Sequence, residues 1–168
     1  VMPLMERGTL ASRIEGRPLG LSEIKRIVRQ LASALDYAHG KGVVHRDLKP
    51  ANVLMDETDN CRLTDFGIAK LVEATTSFTM TGGIMGTPLY MSPEQAKGEP
   101  ADARSDVYAL GVILYELATG RVPFLGKTPV VVTMAHVTQP PPSPRGLNAA
   151  LGQDVEKVIL KALAKEPR

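Results

Sequence analysis

The amino-acid sequence predicts a single compact domain that is mainly α-helical and carries one short β-hairpin. Its 168 residues, 43% of them hydrophobic, are sufficient for one domain with a buried core. Apolar residues recur with the period of an α-helix over 22–39 and 154–165, and a further helical segment, 103–119, is apolar on nearly all sides. One pair of short apolar runs, separated by turn-forming residues, has the pattern of two paired strands.

The first long helix is predicted over residues 22–39. Ser22 has the side chain of a helix N-cap, and Gly40 follows the last apolar position as a C′ residue. The hairpin is predicted from the apolar runs 53–55 and 62–64, because the polar residues between them favour a turn.

The second half of the sequence alternates between loops and helices. Residues 65–94 lose apolar periodicity and are rich in Thr, Ser, Gly and Met, which indicates a long functional loop. Residues 103–119 are apolar on nearly all sides, so we expect a helix through the centre of the domain. Shorter helices are predicted over 130–137 and 154–165. The Pro-rich segment 140–144 is interpreted as a connector between helices, with a polyproline ligand of an SH3-like partner as the alternative.

Composition and charge argue against several classes of protein. The 20 Lys and Arg residues against 18 Asp and Glu give a net charge of +2, which is too small and too scattered for binding to nucleic acid. The longest apolar run, 107–117, is shorter than the roughly 20 residues that span a bilayer. Cys61 is the only cysteine, so no disulfide can form within the chain, which fits a reducing compartment. We expect Cys61 to be a small core residue.

Three sequence motifs follow one another in a fixed order. Residues 45–52 read HRDLKPAN, residues 65–67 read DFG, and residues 86–94 read GTPLYMSPE. They correspond to the catalytic loop, the D-F-G motif and the A-P-E element of protein kinases. The chain therefore resembles the protein kinase superfamily. Details such as SPEQA at 92–96 and ARSDVY at 103–108 resemble its bacterial, eukaryote-like (Hanks-type) Ser/Thr branch.

The resemblance implies the α+β fold of a kinase, of which residues 1–168 form a partial domain. This part is the mainly α-helical C-terminal lobe, with the β-hairpin next to the catalytic loop. The hinge and the start of the lobe are expected over 1–10, the catalytic loop over 45–52, the activation segment over 65–94 and the central helix over 103–119. The sequence contains no G-x-G-x-x-G loop and no V-A-I-K lysine, so the N-terminal lobe is expected to be absent from it.

Five residues are expected to carry the catalysis of phosphoryl transfer, which requires cations on the phosphates and a carboxylate that orients the attacking hydroxyl. By resemblance, Asp47 accepts the proton of the substrate hydroxyl. Lys49 places a positive charge near the transferring group. Asn52 and Asp65 offer the oxygen ligands that Mg²⁺ prefers, with Mn²⁺ as an alternative ion. Thr87 bridges the side chains of Asp47 and Lys49.

ATP is the nucleotide that the resemblance implies. The carbonyl of Pro3 and the N–H and carbonyl of Met5 are expected to bind the adenine. Met2 is the expected gatekeeper residue, and Leu54 is expected to pack beneath the ring.

The resemblance also implies control by phosphorylation, because Arg46 directly precedes Asp47. A phosphate adds about −1.5 to −2 charges and can pair with this arginine. Thr79 and Thr81 are the predicted sites of autophosphorylation, which two copies of the kinase would perform on each other as a homodimer.

The three histidines are expected to be structural. By resemblance, His45 is a packing residue that stacks on Phe66 and is anchored by Asp106. His39 and His136 have no acidic or Cys/His cluster beside them in the sequence, so neither is expected to be a metal ligand.

Two functions are compatible with the sequence. The leading one is an ATP-dependent protein serine/threonine kinase that acts on Ser and Thr hydroxyls of proteins, although the 168 residues alone are expected to be inactive. The alternative is a non-catalytic, kinase-like docking module, if the native chain lacks the N-terminal lobe. A cytoplasmic location is expected, which leaves open a membrane tether outside this segment.

Overall fold

The computed structural model describes residues 8–66 and 88–166 of the chain. These residues form seven α-helices, one 3₁₀ turn and a two-stranded antiparallel sheet, in agreement with the predicted mainly helical architecture. In chain order the elements are α1 (Leu10–Ile14), α2 (Leu21–His39), the 3₁₀ turn (Pro50–Asn52), β1 (Val53–Met55), β2 (Cys61–Leu63), α3 (Pro93–Lys97), α4 (Ala103–Thr119), α5 (Pro129–Thr138), α6 (Pro144–Leu147) and α7 (Gln153–Ala162).

Helix α4 is buried on nearly all sides, as its apolar sequence predicts. Of its 17 residues, 11 are buried, and it packs against α2, α6 and α7. Gly111 allows the close approach of α7, since a Cβ at this position would lie 2.7 Å from the Cβ of Ala162. The helix ends at Gly120, whose φ of 79° favours glycine. Neither α4 nor any other helix in the described ranges has the length and apolar character needed to cross a membrane.

Helix α2 confirms the predicted amphipathic segment, but its two ends differ from the prediction. Its buried face packs against α4 and β2. The N-cap is Gly20, so Ser22 lies within the first turn and does not cap the helix. Gly40 keeps a right-handed φ of −62°, because its N–H donates to the carbonyl of Asp36 at 2.9 Å and continues the last turn. The positive φ falls two residues later, at Gly42.

Strands β1 and β2 form the predicted hairpin, with the second strand one residue earlier than predicted. The register pairs Val53 with Leu63. The turn is fixed by the carboxylate of Asp56, which accepts hydrogen bonds from the backbone N–H groups of Asn60 and Thr58 at 2.8 and 2.9 Å. Hydrogen bonds from Asn60, with a further contribution from Thr58, lower the pKa of Asp56 to about 2.

Cys61 lies on β2 at the edge of the core, as predicted for a small apolar residue. Its Sγ atom is 3.6 Å from the Sδ atom of Met55. Burial raises the pKa of the thiol to about 11, so it stays protonated and is a poor nucleophile.

The C-terminal half contains short helices that the sequence does not predict. The prediction of a loop throughout 65–94 is wrong at its end, because α3 begins at Pro93 behind a capping box of Ser92 and Gln95. Helix α6 begins at Pro144, the last residue of the predicted connector. The predicted helix 130–137 corresponds to α5. Helix α7 ends three residues before the predicted position 165, where the following residue, Leu163, turns into the core and is fully buried.

Candidate active site

The loop 45–52 is anchored to helix α4 by one buried carboxylate. Asp106 is 1% exposed, and it accepts hydrogen bonds from the backbone N–H groups of His45 at 2.8 Å and Arg46 at 2.9 Å. The Nε2 atom of His39, at the end of α2, lies 2.7 Å from the same carboxylate. The predicted anchoring of His45 by Asp106 is confirmed, and the contact is made through the backbone and not through the ring.

The ring of His45 is a packing group, as predicted. It is fully buried and lies tilted against Phe66, with the ring centroids 4.6 Å apart. Its Nδ1 accepts the backbone N–H of Asp47 at 3.3 Å. The ring proton therefore resides on Nε2, which donates to the carbonyl oxygen of Thr64 at 3.0 Å. The ring is thus hydrogen-bonded to the backbone of two segments, at Asp47 and at Thr64.

Three of the predicted catalytic residues lie together. The Nζ atom of Lys49 is 2.8 Å from the Oδ2 atom of Asp47. The side-chain amide of Asn52 donates to the carbonyl oxygen of Asp47 at 2.8 Å and to its Oδ2 atom at 3.2 Å. The side chain of Asp47 is 30% exposed, whereas Asn52 is buried. The carboxylate is therefore held by Lys49 and Asn52 and remains partly exposed.

Asp65 is joined to this cluster through the residue that precedes it. The backbone N–H and the hydroxyl of Thr64 donate to the carbonyl oxygen of Asn52, at 3.0 and 3.3 Å. Asp65 is exposed and has a φ of 56°, a left-handed conformation that is uncommon for residues other than glycine. Such conformations occur preferentially at functional sites.

Asn52 and Asp65 offer oxygen atoms of the kind that Mg²⁺ prefers. Both hydrogen bonds that the Asn52 side chain makes within the described residues use Nδ2, which leaves Oδ1 as its ligand atom. The carboxylate of Asp65 is the second candidate ligand. In the described ranges, no group of three or more His, Cys, Asp and Glu residues could hold a metal. A pair of oxygen ligands agrees with Mg²⁺, which protein sites usually share with phosphates and water.

Of the remaining predicted site residues, Leu54 alone lies within the described residues. Leu54 lies on β1, is half-buried, and forms an isolated bridge with Thr9. The other predicted residues lie outside the described residues, and they are Met2, Pro3, Met5, Thr79, Thr81 and Thr87.

Gln95 contacts the loop 45–52, which the sequence does not predict. Its side-chain amide donates to the carbonyl oxygen of Arg46 at 2.8 Å, while its Oε1 accepts the N–H of Ser92 at 3.1 Å. The S-x-x-Q capping pattern at 92–95 was the available signal for the local structure. It carries no information about the contact with Arg46, which is distant along the chain.

The segment around Gln95 is also tied to helix α4. The hydroxyl of Tyr90 donates to Oε2 of Glu116 at 2.5 Å, and the hydroxyl of Ser105 donates to Oε1 of Glu94 at 2.5 Å. Burial raises the pKa of Glu116, and the hydrogen bond from Tyr90 acts in the opposite direction. Helix α4 thus supports both the loop 45–52 and the segment that follows residue 87.

The sequence matches one known protein family over nearly its whole length. Residues 1–167 match the protein kinase domain.

Curated relatives cover the same region. The chain is 42% identical over 168 residues to the serine/threonine-protein kinase PknB of Mycobacterium leprae, covering 99% of this chain and 27% of that protein. It is 44% identical over 168 residues to the serine/threonine-protein kinase PrkC of Bacillus subtilis, covering 99% of this chain and 26% of that protein. With pkn3 of Myxococcus xanthus it shares 46% identity over 159 residues, 89% of this chain and 29% of that protein. The chain therefore spans about a quarter of the length of these relatives.

Proposed function

Because this chain belongs to the protein kinase domain family, we propose that it is part of an enzyme that transfers the γ-phosphate of ATP to Ser and Thr hydroxyls of proteins. The observation that carries the proposal is the cluster of Asp47, Lys49 and Asn52, with Asp65 joined to it through Thr64. The relatives named serine/threonine-protein kinases support the choice of acceptor. We assign the chain to the C-terminal lobe, from a hinge over 1–10 to the helices after the activation segment 65–94.

The cluster has the groups that phosphoryl transfer needs. The reaction depends on positioning and on stabilising negative charge, because the transferring group leaves little covalent chemistry to the protein. Asp47 is proposed to orient the substrate hydroxyl and to accept its proton. Lys49 places its ammonium group at this carboxylate, where it can also meet the transferring phosphoryl group. Thr87 is proposed to bridge these two side chains.

Nucleotide and metal complete the proposed site. Asn52 and Asp65 would hold Mg²⁺ or Mn²⁺, which supplies positive charge to the phosphates when bound. Leu54 is proposed to pack under the adenine, beside the hinge residues Met2, Pro3 and Met5. A cytoplasmic location is proposed because ATP is supplied there.

The proposal is tested by phosphotransfer from radiolabelled Mg-ATP to a protein substrate, with the full-length protein and its Asp47→Asn variant. We expect kcat to fall by about 10²-fold to 10⁴-fold, with nucleotide affinity retained, since the carboxylate acts mainly during transfer. Asp154→Asn is the matched control, because that side chain is 98% exposed on α7. Near-normal turnover of Asp47→Asn would contradict the assignment.

We further propose that the kinase is regulated by autophosphorylation at Thr79 and Thr81, between two copies of the chain. Support comes from Arg46, whose Nε atom is buried and has no hydrogen-bond partner within the described part of the structure. A phosphate on a nearby threonine could supply that partner. Mass spectrometry of the active protein should find Thr79 or Thr81 modified, and Thr79→Ala/Thr81→Ala should lose activity. Full activity of the double variant would contradict the proposal.

A further inference from the structure

Four groups form a continuous chain of hydrogen bonds away from the catalytic cluster. The Nζ atom of Lys165 is 3.1 Å from the hydroxyl oxygen of Tyr108, on α4. That hydroxyl oxygen is 3.0 Å from Nδ1 of His136, on α5. The Nε2 atom of His136 is 3.1 Å from the carbonyl oxygen of Leu89. This hydrogen-bond chain therefore connects Lys165, near the end of the described residues, to the segment that follows residue 87.

The groups at the two ends of this hydrogen-bond chain, Leu89 and Lys165, determine the direction of every hydrogen bond in it. The carbonyl of Leu89 can only accept, so Nε2 of His136 carries the proton. Burial, together with the charge of Lys165, lowers the pKa of His136 to about 4, so its ring is neutral and Nδ1 is an acceptor. The hydroxyl of Tyr108 then donates to Nδ1 and accepts from Lys165, which can only donate. Every group in the chain has one consistent role.

Packing leaves the His136 ring little freedom. It is fully buried and lies edge-on to Phe124 and Tyr108, with centroid distances of 4.9 and 5.7 Å. The Nζ atom of Lys165 lies 4.3 Å from the centroid of Phe124, a distance at which a cation is attracted to the ring face. The Nε2–H group is therefore aimed at one position, which the carbonyl of Leu89 occupies.

The segment 88–95 runs from this carbonyl to the catalytic loop. At its far end, Gln95 donates to the carbonyl oxygen of Arg46, the residue before Asp47. The segment is therefore held at one end by His136 and at the other by the residue that precedes the proposed catalytic carboxylate.

We propose that this hydrogen-bond chain positions the segment 88–95 for binding of the protein substrate, with His136 as the positioning residue that holds Leu89. The inference rests on the proposed kinase function, since a polypeptide must then lie beside Asp47. The nucleotide is expected to contact other residues, Leu54 among them. Loss of the chain should therefore raise the KM for the protein substrate and leave the KM for ATP unchanged.

The first test compares two amide variants of His136 in the full-length protein. In His136→Gln the longer side chain can place an N–H near the position of Nε2, whereas the shorter one in His136→Asn can replace only Nδ1. We expect His136→Asn to raise the KM for a peptide substrate by about fivefold to tenfold, the range for one lost hydrogen bond. We expect His136→Gln to raise this KM less than His136→Asn does, because it keeps the donor to Leu89 but loses the acceptor for the Tyr108 hydroxyl. Equal losses in both variants, or a parallel rise in the KM for ATP, would overturn the proposal.

The second test keeps every ring in place. Tyr108→Phe removes the hydroxyl that links Lys165 to His136. Tyr115→Phe is the matched control, because Tyr115 is also buried on α4 and its hydroxyl has no hydrogen-bond partner within the described part of the structure. We expect the KM for the peptide to rise in Tyr108→Phe and to stay unchanged in Tyr115→Phe. If the two variants behave alike, the hydrogen-bond chain has no positioning role.

The unsubstituted protein separates this inference from the proposed function. Absence of any phosphotransfer from it, with peptide and with intact protein substrates, would overturn both. If the unsubstituted protein is active and the KM for the peptide is unchanged in His136→Asn and Tyr108→Phe, the positioning role is overturned and the proposed function is not.

Discussion

Two residues beside the proposed catalytic carboxylate have left-handed backbone conformations. Arg46 has a φ of 65° and Asp65 a φ of 56°. Such conformations cost on the order of 1 kcal/mol or more for residues with a Cβ, and they persist where the surroundings fix them. Here Asp106 holds the N–H of Arg46, and the bonds between Thr64 and Asn52 hold the residue before Asp65. The site is therefore fixed by neighbouring residues before any ligand arrives.

The clustering of three proposed catalytic residues could be predicted from the sequence because they lie close together in it. Asp47, Lys49 and Asn52 belong to one short loop, so their proximity follows from local chain geometry. Gln95 and His136 could not be predicted in the same way. Their hydrogen bonds to Arg46 and Leu89 cross 49 and 47 residues of the chain, and only the packing of helices brings these groups together.

At the same scale, His136 should make stability depend on pH in a defined window. Its pKa is 6.5 in the unfolded chain and about 4 in the buried site. Between these values the unfolded state binds a proton that the folded state does not, so the free energy of unfolding falls as pH falls from 6.5 to 4. The loss should reach at most a few kcal/mol. Urea unfolding of the full-length protein at several pH values measures it.

The control for this prediction is His136→Gln, which cannot titrate. Its unfolding free energy should fall less steeply over the same window. Asp56, whose pKa is lowered to about 2, contributes only at pH values below the window. Identical slopes for the unsubstituted protein and the variant would contradict the role of His136.

At the scale of elements, length decides which helices the sequence reveals. Helices α2 and α4 contain several turns, so the apolar periodicity of α2 and the almost wholly apolar sequence of α4 stand out. Helices α1, α3 and α6 have 5, 5 and 4 residues, which is too short for a period to repeat. Side-chain N-caps begin α3 and α6, whereas α1 has no side-chain cap and packs against the 3₁₀ turn and β1. Helix ends were predicted less well than helix interiors, because the glycines at 20 and 40 have roles that depend on the surrounding backbone.

Helix α4 acts as the platform of the site, and Asp106 is its most consequential residue. The backbone N–H groups of His45 and Arg46 donate to the two carboxylate oxygens of Asp106. The amide of Asp106→Asn has only one oxygen, so a buried N–H group of the loop 45–52 loses its acceptor. We expect the unfolding free energy to fall by about 2–4 kcal/mol and kcat to fall at least tenfold, roughly the cost of leaving buried donors unsatisfied beside Asp47. Denaturant unfolding and the phosphotransfer assay measure the two effects.

Asp102→Asn is the matched control on the same helix. Asp102 is the N-cap of α4, its side chain is 54% exposed, and it accepts the N–H of Arg104 at 2.8 Å. Asparagine caps helices about as well as aspartate, so stability should change by only a few tenths of a kcal/mol and turnover should not change. Similar losses from the two substitutions would show that Asp106 has no special role in holding the loop.

On the scale of the whole molecule, one hydrophobic core joins the hairpin, α2, α4 and α7 beneath the catalytic cluster. Periodicity predicts this helical body, but it does not distinguish one helical domain from another. The order of the three motifs provides that information, because the spacing of HRDLKPAN, DFG and GTPLYMSPE is specific to the kinase family. Close contacts such as that of Gly111 with Ala162 depend on how two helices cross, which no local pattern encodes.

The last prediction concerns the 168 residues expressed by themselves, which we expect not to phosphorylate proteins at a measurable rate. They contain Asp47, Asn52 and Asp65, but they contain no glycine-rich G-x-G-x-x-G loop and no V-A-I-K lysine to hold the phosphates in line. Positioning supplies much of the rate enhancement in this reaction, so the retained groups cannot compensate. The assay compares the purified chain with the full-length protein, using Mg-ATP and a basic peptide, after circular dichroism has shown that the chain is helical. Comparable turnover from both proteins would show that the retained residues are sufficient for catalysis.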